Sequence, residues 1–479
     1  MVFDAPSFLP ALPEMFLLTV ASLGLLVDVF SPQRYRAFTY QLSQAGLITT
    51  FVLVLFIYPD EPQTTFSQTF INDGMGAVLK LFVLLVTYVV FFYSKEYLRE
   101  RNLFKGEYFV LGLFAVLGMM VLVSARSLLT IYLGLELLSL SLYALVAMHR
   151  DSLAASEAAM KFFVLGALAS GMLLYGMSML YGVTGTLNLL EIGQFVAEQS
   201  EQNLVLVVGL VFIVVAIAFK LGAVPFHMWI PDVYEGAPTS VTLFLGTAPK
   251  IAAFAMLMRL LVEGLGGLQS DWTQMLVPLA VLSLAVGNIV AIAQTNLKRM
   301  LAYSTIAHVG FLFLGVIAGS PAGYAASMFY TIAYSLMAMG AFGMIIVLSR
   351  AGFESDGLED FRGLNDRSSW LAFLMLVLMM SMAGVPPFLG FWAKWSVLLE
   401  IVNAGMVWLA VLAVIFSIIG LYYYLRLVRL MYFDRPEARE RITAGFDVRI
   451  MMSTNALAIL ALGIYPGGLM ALCTSVLVP

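Results

Sequence analysis

Four lysines and one glutamate lie deep inside apolar stretches of this sequence. Glu136 stands near the middle of SLLTIYLGLELLSLSLYALVAMH, with about ten uncharged residues on each side. Lys220 immediately precedes a proline-containing motif, LGAVPFHMW, and Lys161, Lys250 and Lys394 lie in other long apolar runs. All five side chains bind and release protons, so their positions point to proton transfer chemistry.

Such residues are costly to place in a membrane. A charge at the centre of a spanning helix costs at least ~2.5 kcal/mol, so five unpaired charges would cost on the order of 10 kcal/mol, comparable with the stability of a whole domain. One carboxylate cannot neutralise four ammonium groups, and burial in general lowers the pKa of a lysine. The pattern predicts a proton relay. The alternative is that the charges pair with one another and only fix the helices in place.

Lys161 and His308 each have a simpler interpretation beside the relay role. Lys161 follows Glu157 by four residues on a helix that Asp151 or Ser152 would cap, so an ordinary ion pair on one helix face is an alternative. His308 lies in the apolar run YSTIAHVGFLFLGV. A histidine titrates near neutral pH, which favours proton transfer over simple packing at this position.

Two apolar stretches are broken by proline in related surroundings, GAVPFHMW at 222–229 and GVPPFLGFW at 384–392. Proline inside a helix removes a hydrogen bond, and unwound backbone at membrane depth is tolerated only where it is buried in protein or lines a wet cavity. Lys220 precedes the first break and Lys394 follows the second, so we expect both lysines to meet water there. His227, in the first break, could transfer protons to one face or bond freed carbonyls.

The elements that position these residues are long apolar helices. Apolar residues make up 61% of the 479 positions and charged residues 11%, with a mean hydropathy of +0.95, whereas soluble domains have about 25% charged residues. No alternating pattern of a membrane β-barrel is present. The sequence predicts an all-α integral membrane protein with about fourteen transmembrane helices, at 8–30, 39–58, 75–94, 108–124, 127–148, 152–181, 204–224, 240–262, 273–294, 299–318, 323–348, 371–403, 405–432 and 450–475.

Loop charges predict the topology. Sixteen Lys and Arg residues lie in odd-numbered loops, and only Arg126 and Arg259 lie in even-numbered loops. By the positive-inside rule the odd loops face the cytoplasm and both termini are periplasmic. Lys80, Arg426 and Arg429 lie near helix ends, where we expect their long side chains to snorkel to the interface.

The order of the unusual residues repeats once along the chain. Glu136 precedes Lys220 by 84 residues, and His308 precedes Lys394 by 86. The seventh helix would run inward and the twelfth outward, so helices 4–8 and 9–13 are interpreted as two inverted five-helix repeats, with helices 7 and 12 discontinuous. The chain would be a single polytopic domain, with three helices in 1–107, repeats in 108–262 and 273–432, and a last helix at 450–475.

No cofactor is expected in this chain. The single cysteine, Cys473, is too few for an iron–sulfur cluster, which needs about four ligands, and the three histidines are too scattered for a metal motif. No strand is predicted that a glycine-rich nucleotide loop could follow, and no nucleic-acid partner is expected. The opening MVFDAPSFLPALPE lacks a basic region, so the first helix is expected to be retained.

Three stretches carry a resemblance to a known family: FKLGAVPFHMWIPDVYEGAPTSVTLFLGTAPKIA, QTNLKRMLAYSTIAHVGF and SMAGVPPFLGFWAKW. Over essentially its whole length the sequence resembles the antiporter-like membrane subunits of proton-pumping NADH:quinone oxidoreductase, respiratory complex I. Three kinds of such subunit exist, L, M and N, and this chain is most similar to N. Tyr234 stands where L and M usually have histidine, Lys394 stands where M has glutamate, and the chain ends soon after its fourteenth helix.

The resemblance implies roles for individual residues. Glu136 and Lys220 would form the input pair, Lys250 would be the central proton carrier, and Lys394 would connect towards the periplasm. Lys161 also falls on a position implicated in the family. Together with the repeat argument, this predicts a lateral row with bridging water that moves protons from cytoplasm to periplasm, formed by Glu136, Lys220, Lys250, His308 and Lys394, with Lys161 as a further member.

The resemblance also implies partners and a location. The partners would be the homologous subunit M, small subunits such as K, and membrane lipids, in the bacterial inner membrane. NADH, FMN, iron–sulfur clusters and quinone would be handled by other subunits, so this chain would belong to a translocase without carrying a redox centre. Two alternatives stay open: a subunit of a multisubunit Na⁺/H⁺ antiporter, which shares the fold and the lysines, and a scaffold whose charges fix helix register.

Overall fold

A computed structural model describes residues 6–30, 36–198, 203–349, 353–436 and 445–478. In these ranges, thirteen helices are long and apolar enough to cross a membrane. The predicted all-α membrane fold is therefore confirmed, whereas the periplasmic location of the termini stays a prediction. Four of the loop arginines used for the topology lie outside the described residues: Arg34, Arg350, Arg439 and Arg441.

Helices account for nearly all the regular structure. In chain order they are α1 (Leu12–Phe30), α2 (Arg36–Phe56), α3 (Gly74–Glu100), α4 (Gly106–Val123), α5 (Leu128–Val146), α6 (Leu153–Thr184), α7 (Leu189–Glu198), α8 (Leu204–Leu221), α9 (Trp229–Gly236), α10 (Thr239–Leu245), α11 (Ala248–Leu257), α12 (Gln269–Ile292), α13 (Leu297–Ile317), α14 (Pro321–Leu348), α15 (Leu364–Arg367), α16 (Ser369–Ala383), α17 (Leu389–Asn403), α18 (Val407–Tyr432), α19 (Phe446–Ile464) and α20 (Gly467–Ser475). Single 3₁₀ turns occupy Leu9–Ala11, Gly266–Leu268 and Leu358–Phe361, and α11 continues as a π-helix over Met258–Gly264.

One short hairpin interrupts the helices. β1 (Gln63–Thr65) pairs antiparallel with β2 (Phe70–Asn72) between α2 and α3. The prediction of no strands was wrong here, because three-residue strands are too short to show an alternating pattern.

Both predicted helix breaks are present, and two further breaks were missed. One lies in the eighth predicted span, and the other divides the last one, 450–475, into α19 and α20 at Tyr465 and Pro466. The seventh predicted span ends with α8 and resumes as α9, and the twelfth is divided into α16 and α17 at the Pro386–Pro387 pair. These two half-helices of 15 residues each are too short to cross alone, which accounts for thirteen full spans instead of fourteen. The eighth span was predicted as continuous. It stops at Leu245 and restarts at Ala248, because Pro249 is accommodated in the first turn of a new helix.

The chain divides into two compact units, and the first comprises Met1–Phe91, Phe104–Lys220 and Ala248–Met275. Within it, α4 and α5 cross at glycines. A Cβ atom on Gly118 would lie 2.6 Å from the backbone nitrogen of Leu138, and one on Gly134 would lie 2.8 Å from that of Leu122. Only glycine permits this close approach of two helix backbones. The crossing fixes the position of α5 against α4, and α5 carries Glu136.

The second unit comprises Phe92–Leu103, Leu221–Thr247 and Leu276–Pro479. Its centre is α13, in which every residue except Arg299 and Tyr303 is buried. A helix that is buried on nearly all sides must be surrounded by others, and α9, α14 and α17 pack against it. The boundaries of the predicted repeats stay a prediction.

Candidate functional site

Glu136 lies in the middle of α5 and is partly buried. Its carboxylate accepts a hydrogen bond from the hydroxyl of Ser170 on α6. Among the described residues it forms no ion pair. The partner that holds the acid is therefore a neutral hydroxyl group.

Lys220 lies one residue before the end of α8. Its ammonium nitrogen donates to the Ser139 hydroxyl at 2.8 Å, and Ser139 in turn donates to the carbonyl of Leu135 at 2.7 Å. Ser139 follows Glu136 by three residues, which places both on one face of α5. Glu136 and Lys220 interact electrostatically, but they are not in direct contact.

Lys250 is the third residue of α11 and is only 3% exposed. All ten residues of α11 are buried, so the ammonium group lies in the protein interior. Lys220 acts on it electrostatically. The structure thus brings three of the predicted residues, Glu136, Lys220 and Lys250, into one electrostatic neighbourhood in the first unit.

His308 lies in the middle of α13 and is 4% exposed. Both ring nitrogens bond to tyrosine hydroxyls, Nδ1 with Tyr330 at 2.6 Å and Nε2 with Tyr424 at 3.2 Å. The Tyr424 hydroxyl also bonds to Ser304 at 2.5 Å. A tyrosine hydroxyl can donate or accept, so either tautomer of the imidazole can be satisfied without moving a side chain.

Lys394 lies on α17, one turn after the break. Its ammonium nitrogen donates to the carbonyl of Ala383 at 2.8 Å and to the Ser417 hydroxyl at 2.9 Å, and it lies 5.0 Å from the centre of the Phe311 ring. Ala383 ends α16, so its carbonyl has no helical partner and the break supplies the acceptor. Glycine is favoured at 384 because its φ is +86°, and a Cβ there would also lie 2.8 Å from the Lys394 side chain.

His308 and Lys394 line the same small cavity in the second unit. Its volume is about 10 Å³, which is room for about one water molecule. Asn288, Tyr423 and Tyr424 contribute the other polar atoms of the wall. Because several polar groups converge on it, the cavity is suited to a water that bridges the imidazole and the ammonium group.

Lys161 is placed apart from these groups. Its nitrogen lies 2.8 Å from the carboxylate of Glu157, one turn earlier on α6, and 42% of its side chain is exposed. Ser152 caps this helix by accepting from the Ala155 backbone nitrogen at 3.3 Å. This is the geometry of the alternative considered above, an ordinary pair on one helix face. A relay role for Lys161 stays a prediction.

Sequence reasoning missed the hydroxyl groups that hold the charged residues. These residues are Ser139, Ser170, Tyr330, Ser417 and Tyr424, and they lie in apolar helices, where hydroxyl side chains are common. The spacing of Ser139 from Glu136 was a readable signal, since residues three apart share a helix face. The other four hydroxyl residues lie far along the chain from their partners, so the sequence gave no signal for them.

Other buried charges form closed ion pairs, contrary to expectation. Lys80 was expected to snorkel, but it is 1% exposed and lies 2.5 Å from Glu14. Arg259 was assigned to a loop; instead it is fully buried and bonds to Asp73 at 2.8 Å and to Glu263 at 2.5 Å. Glu14 and Asp73 are distant in sequence from their partners, whereas Glu263 follows Arg259 by only four residues, a spacing that the sequence already showed.

Buried ionisable groups beside interrupted helices define a class of protein, the membrane subunits that move ions. A family model described as "NADH:quinone oxidoreductase/Mrp antiporter, TM" matches residues 125–420, more than half of the chain. NADH-quinone oxidoreductase subunit N of Thioalkalivibrio sulfidiphilus is 58% identical over 99% of both chains. That of Thiobacillus denitrificans is 59% identical over 97% of this chain and 96% of its own. The chain therefore belongs to this family, on its subunit N branch.

Solved structures of membrane subunits have the same fold as this chain. A chain of respiratory complex I from Thermus thermophilus with bound aureothin is 32% identical and superposes with a TM-score of 0.83, covering 96% of this chain and 99% of its own. A chain of the Mrp complex from Dietzia sp. has a TM-score of 0.88 over 98% of this chain and 97% of its own, but at 21% identity it shows the fold alone. Among the described residues, no group of three or more His, Cys, Asp or Glu could hold a metal ion.

Proposed function

We propose that this chain translocates protons from cytoplasm to periplasm as a membrane subunit of NADH:quinone oxidoreductase in the bacterial inner membrane. One observation carries the proposal. Glu136, Lys220, His308 and Lys394 are held by hydroxyl or carbonyl groups, whereas Lys80 and Arg259 are closed into ion pairs with carboxylates. A scaffold needs ion pairs with carboxylates, which hold helices together. A relay needs groups held by neutral hydroxyls and carbonyls, which can gain or lose a proton.

In the first unit, the charge on Glu136 controls whether Lys220 keeps its proton. Two unit charges ~7 Å apart at an effective dielectric of ~20 interact by about 2 kcal/mol, enough to change a proton equilibrium more than tenfold. When that field weakens, the proton on Lys220 is released more readily. Lys250, on which Lys220 acts electrostatically, is the next acceptor.

In the second unit, the imidazole of His308 and the ammonium group of Lys394 exchange a proton through the cavity that they both line. The Tyr424 hydroxyl stays bonded to Nε2 of His308 while the proton arrives or leaves. Complete transport further requires protons to pass from the first set of residues to the second. The proton on Lys394 then leaves at the α16–α17 break, where the ammonium group already meets unwound backbone that water can hydrate.

The energy for transport comes from chemistry in other subunits. FMN, the iron–sulfur clusters and the quinone site are assigned to them, and charge changes there reach Glu136 through neighbouring membrane subunits. Those neighbours include the homologous subunit M and small subunits such as K. Lys161, on the exposed face of α6, would take part only from the rim of the first unit.

A second candidate is a subunit of a multisubunit Na⁺/H⁺ antiporter. The superposition on a chain of the Mrp complex supports it, because the same fold serves in that assembly. The near-complete coverage of two subunit N relatives at 58% and 59% identity favours the first candidate. Proton uptake that requires NADH oxidation and is indifferent to Na⁺ distinguishes the two.

The decisive experiment uses Lys250→Met in the assembled complex, reconstituted in vesicles. The relay predicts that proton uptake falls by about tenfold or more, because a positioned proton carrier is lost, with quinone reduction slowed as well. Lys95→Met, which replaces a lysine near the end of α3 whose side chain is 31% exposed, is the matched control and should keep both rates. The scaffold alternative predicts normal pumping in Lys250→Met with equal or better stability, and that result would overturn the proposal.

A further inference from the structure

A groove opens on the second unit between α14, α17 and α20. Its volume is about 360 Å³, within the range of sites that bind small molecules. Ala322, Ala325 and Ala326 form its α14 wall, at a spacing that places all three on one helix face. Their small side chains leave the space that larger residues would fill.

The α17 wall changes in character along its length. Trp392, Trp395, Leu399 and Glu400 share one helix face and line the groove. Trp392 lies in the first turn and Glu400 in the last, about 12 Å apart at 1.5 Å per residue. The groove is thus apolar and aromatic at one end and acidic at the other, the same polarity as a lipid that stands in a bilayer.

Glu400 has only weak partners. The Ser320 hydroxyl donates to it at 3.4 Å and the side-chain amide of Asn403 at 3.5 Å, both at the long limit for a hydrogen bond. No lysine or arginine of the described residues pairs with it. The acidic end of the groove therefore has unused acceptor capacity and a negative charge without a counter-charge.

We propose that this groove binds a phospholipid whose headgroup carries a primary ammonium, of the phosphatidylethanolamine type. The ammonium group donates to the Glu400 carboxylate, and an acyl chain packs between the alanines of α14 and the Trp395 and Leu399 side chains. An anionic headgroup without an amine is disfavoured because it would meet Glu400 with like charge. Since the opposite face of α17 carries Lys394, the bound lipid supports the half-helix that holds this lysine.

The test places a photo-crosslinking amino acid at Leu399, which is 46% exposed, in the assembled complex within its native membrane. The same probe at Val411 on α18, 53% exposed, reports ordinary lipid contact. After illumination, the lipid adducts are identified by mass spectrometry. The ratio of phosphatidylethanolamine to phosphatidylglycerol adducts should be about two- to fivefold higher at Leu399 than at Val411, the range expected for a partly exposed ion pair.

Charge variants make the test specific. Glu400→Gln should reduce the ratio at Leu399 to that at Val411, and Glu400→Lys should invert it in favour of phosphatidylglycerol, with neither variant changing the ratio at Val411. Quinone reduction by each probe variant verifies assembly. The proposal would be overturned by equal ratios at the two positions, or by a ratio at Leu399 that is unchanged in both Glu400 variants. It would also be overturned by adducts to a polypeptide in place of lipid.

Discussion

The residues of the relay differ from the structural charges in what holds them. Lys394 is bound by a carbonyl and a hydroxyl, and such hydrogen bonds contribute about 0.5–3 kcal/mol each. Arg259 is bound by two carboxylates, and removing one partner of a buried ion pair costs about 3–5 kcal/mol. A proton can leave the first kind of group at a cost that a working cycle can supply. It cannot leave the second kind without disrupting the fold.

Tyr424 is predicted to be a positioning residue for His308. In Tyr424→Phe, the ring keeps its packing, but Nε2 of His308 and the Ser304 hydroxyl both lose a partner. A buried group left without its hydrogen bond costs about 1–3 kcal/mol, so we expect proton uptake per electron to fall and its pH profile to shift. Tyr422→Phe is the matched control, because Tyr422 is 58% exposed. Identical pH profiles for the two variants would contradict the assignment.

The charged members of the site could be predicted from sequence because charge is rare in a membrane span. Glu136 and Lys250 are conspicuous for that reason alone. Their neutral partners are not, since a serine or tyrosine costs little in an apolar helix and is found in many that have no function. The tyrosines that contact His308 come from α14 and α18, 22 and 116 residues further along the chain. Only the folded packing reveals them.

At the scale of elements, an ion-pair clamp joins the second half of a broken helix to the helix that carries His308. Arg299, in the first turn of α13, donates to Asp232 at 2.9 Å and to Glu235 at 2.8 Å, both on α9. The backbone of Arg299 is itself held by the N-cap Asn296 at 3.1 Å. We therefore expect a movement of α9 to affect α13.

Loss of this clamp should loosen α9 without unfolding it. The three side chains are 29–40% exposed, where an ion pair contributes about 0.2–1 kcal/mol, so we expect Arg299→Gln to speed backbone hydrogen exchange in 229–236 by roughly two- to fivefold. Arg362→Gln removes a local pair with Glu359 and is the control. Exchange in α9 that is the same in both variants would show that α9 is held by packing alone.

For the whole molecule, average hydropathy predicted the number of membrane passes well. It predicted poorly which side chains are buried against other parts of the protein. Spans are set by length and apolar content, so even the broken twelfth segment was found. Which side chains face protein is a different question. Lys80 was expected at the interface, yet it pairs with Glu14, 66 residues away and on another helix. Single-sequence patterns carry no information about such a partner.

The buried triad of Arg259, Asp73 and Glu263 is predicted to support the first unit as a whole. Arg259 also donates to the Val123 carbonyl at the end of α4, so one side chain joins the start of α3, the end of α4 and the π-helix. Asp73→Asn should destabilise the unit by about 3–5 kcal/mol at neutral pH, because it leaves the guanidinium short of a counter-charge. Thermal unfolding of the assembled complex measures this.

Asp73 should also affect how the stability of the protein changes at acid pH. Burial by itself would raise the pKa of the Asp73 carboxyl, but the Arg259 charge and hydrogen bonds outweigh it and the pKa lies below its usual value of 3.8. The stability that Asp73 contributes is therefore fully present above pH 3.8 and is lost as the pH falls below that value. Asp73→Asn should remove this part of the acid transition, whereas Asp60→Asn, in the exposed loop before β1, should leave it unchanged. An acid transition that is the same in Asp73→Asn as in the parent chain would show that the triad contributes nothing to it.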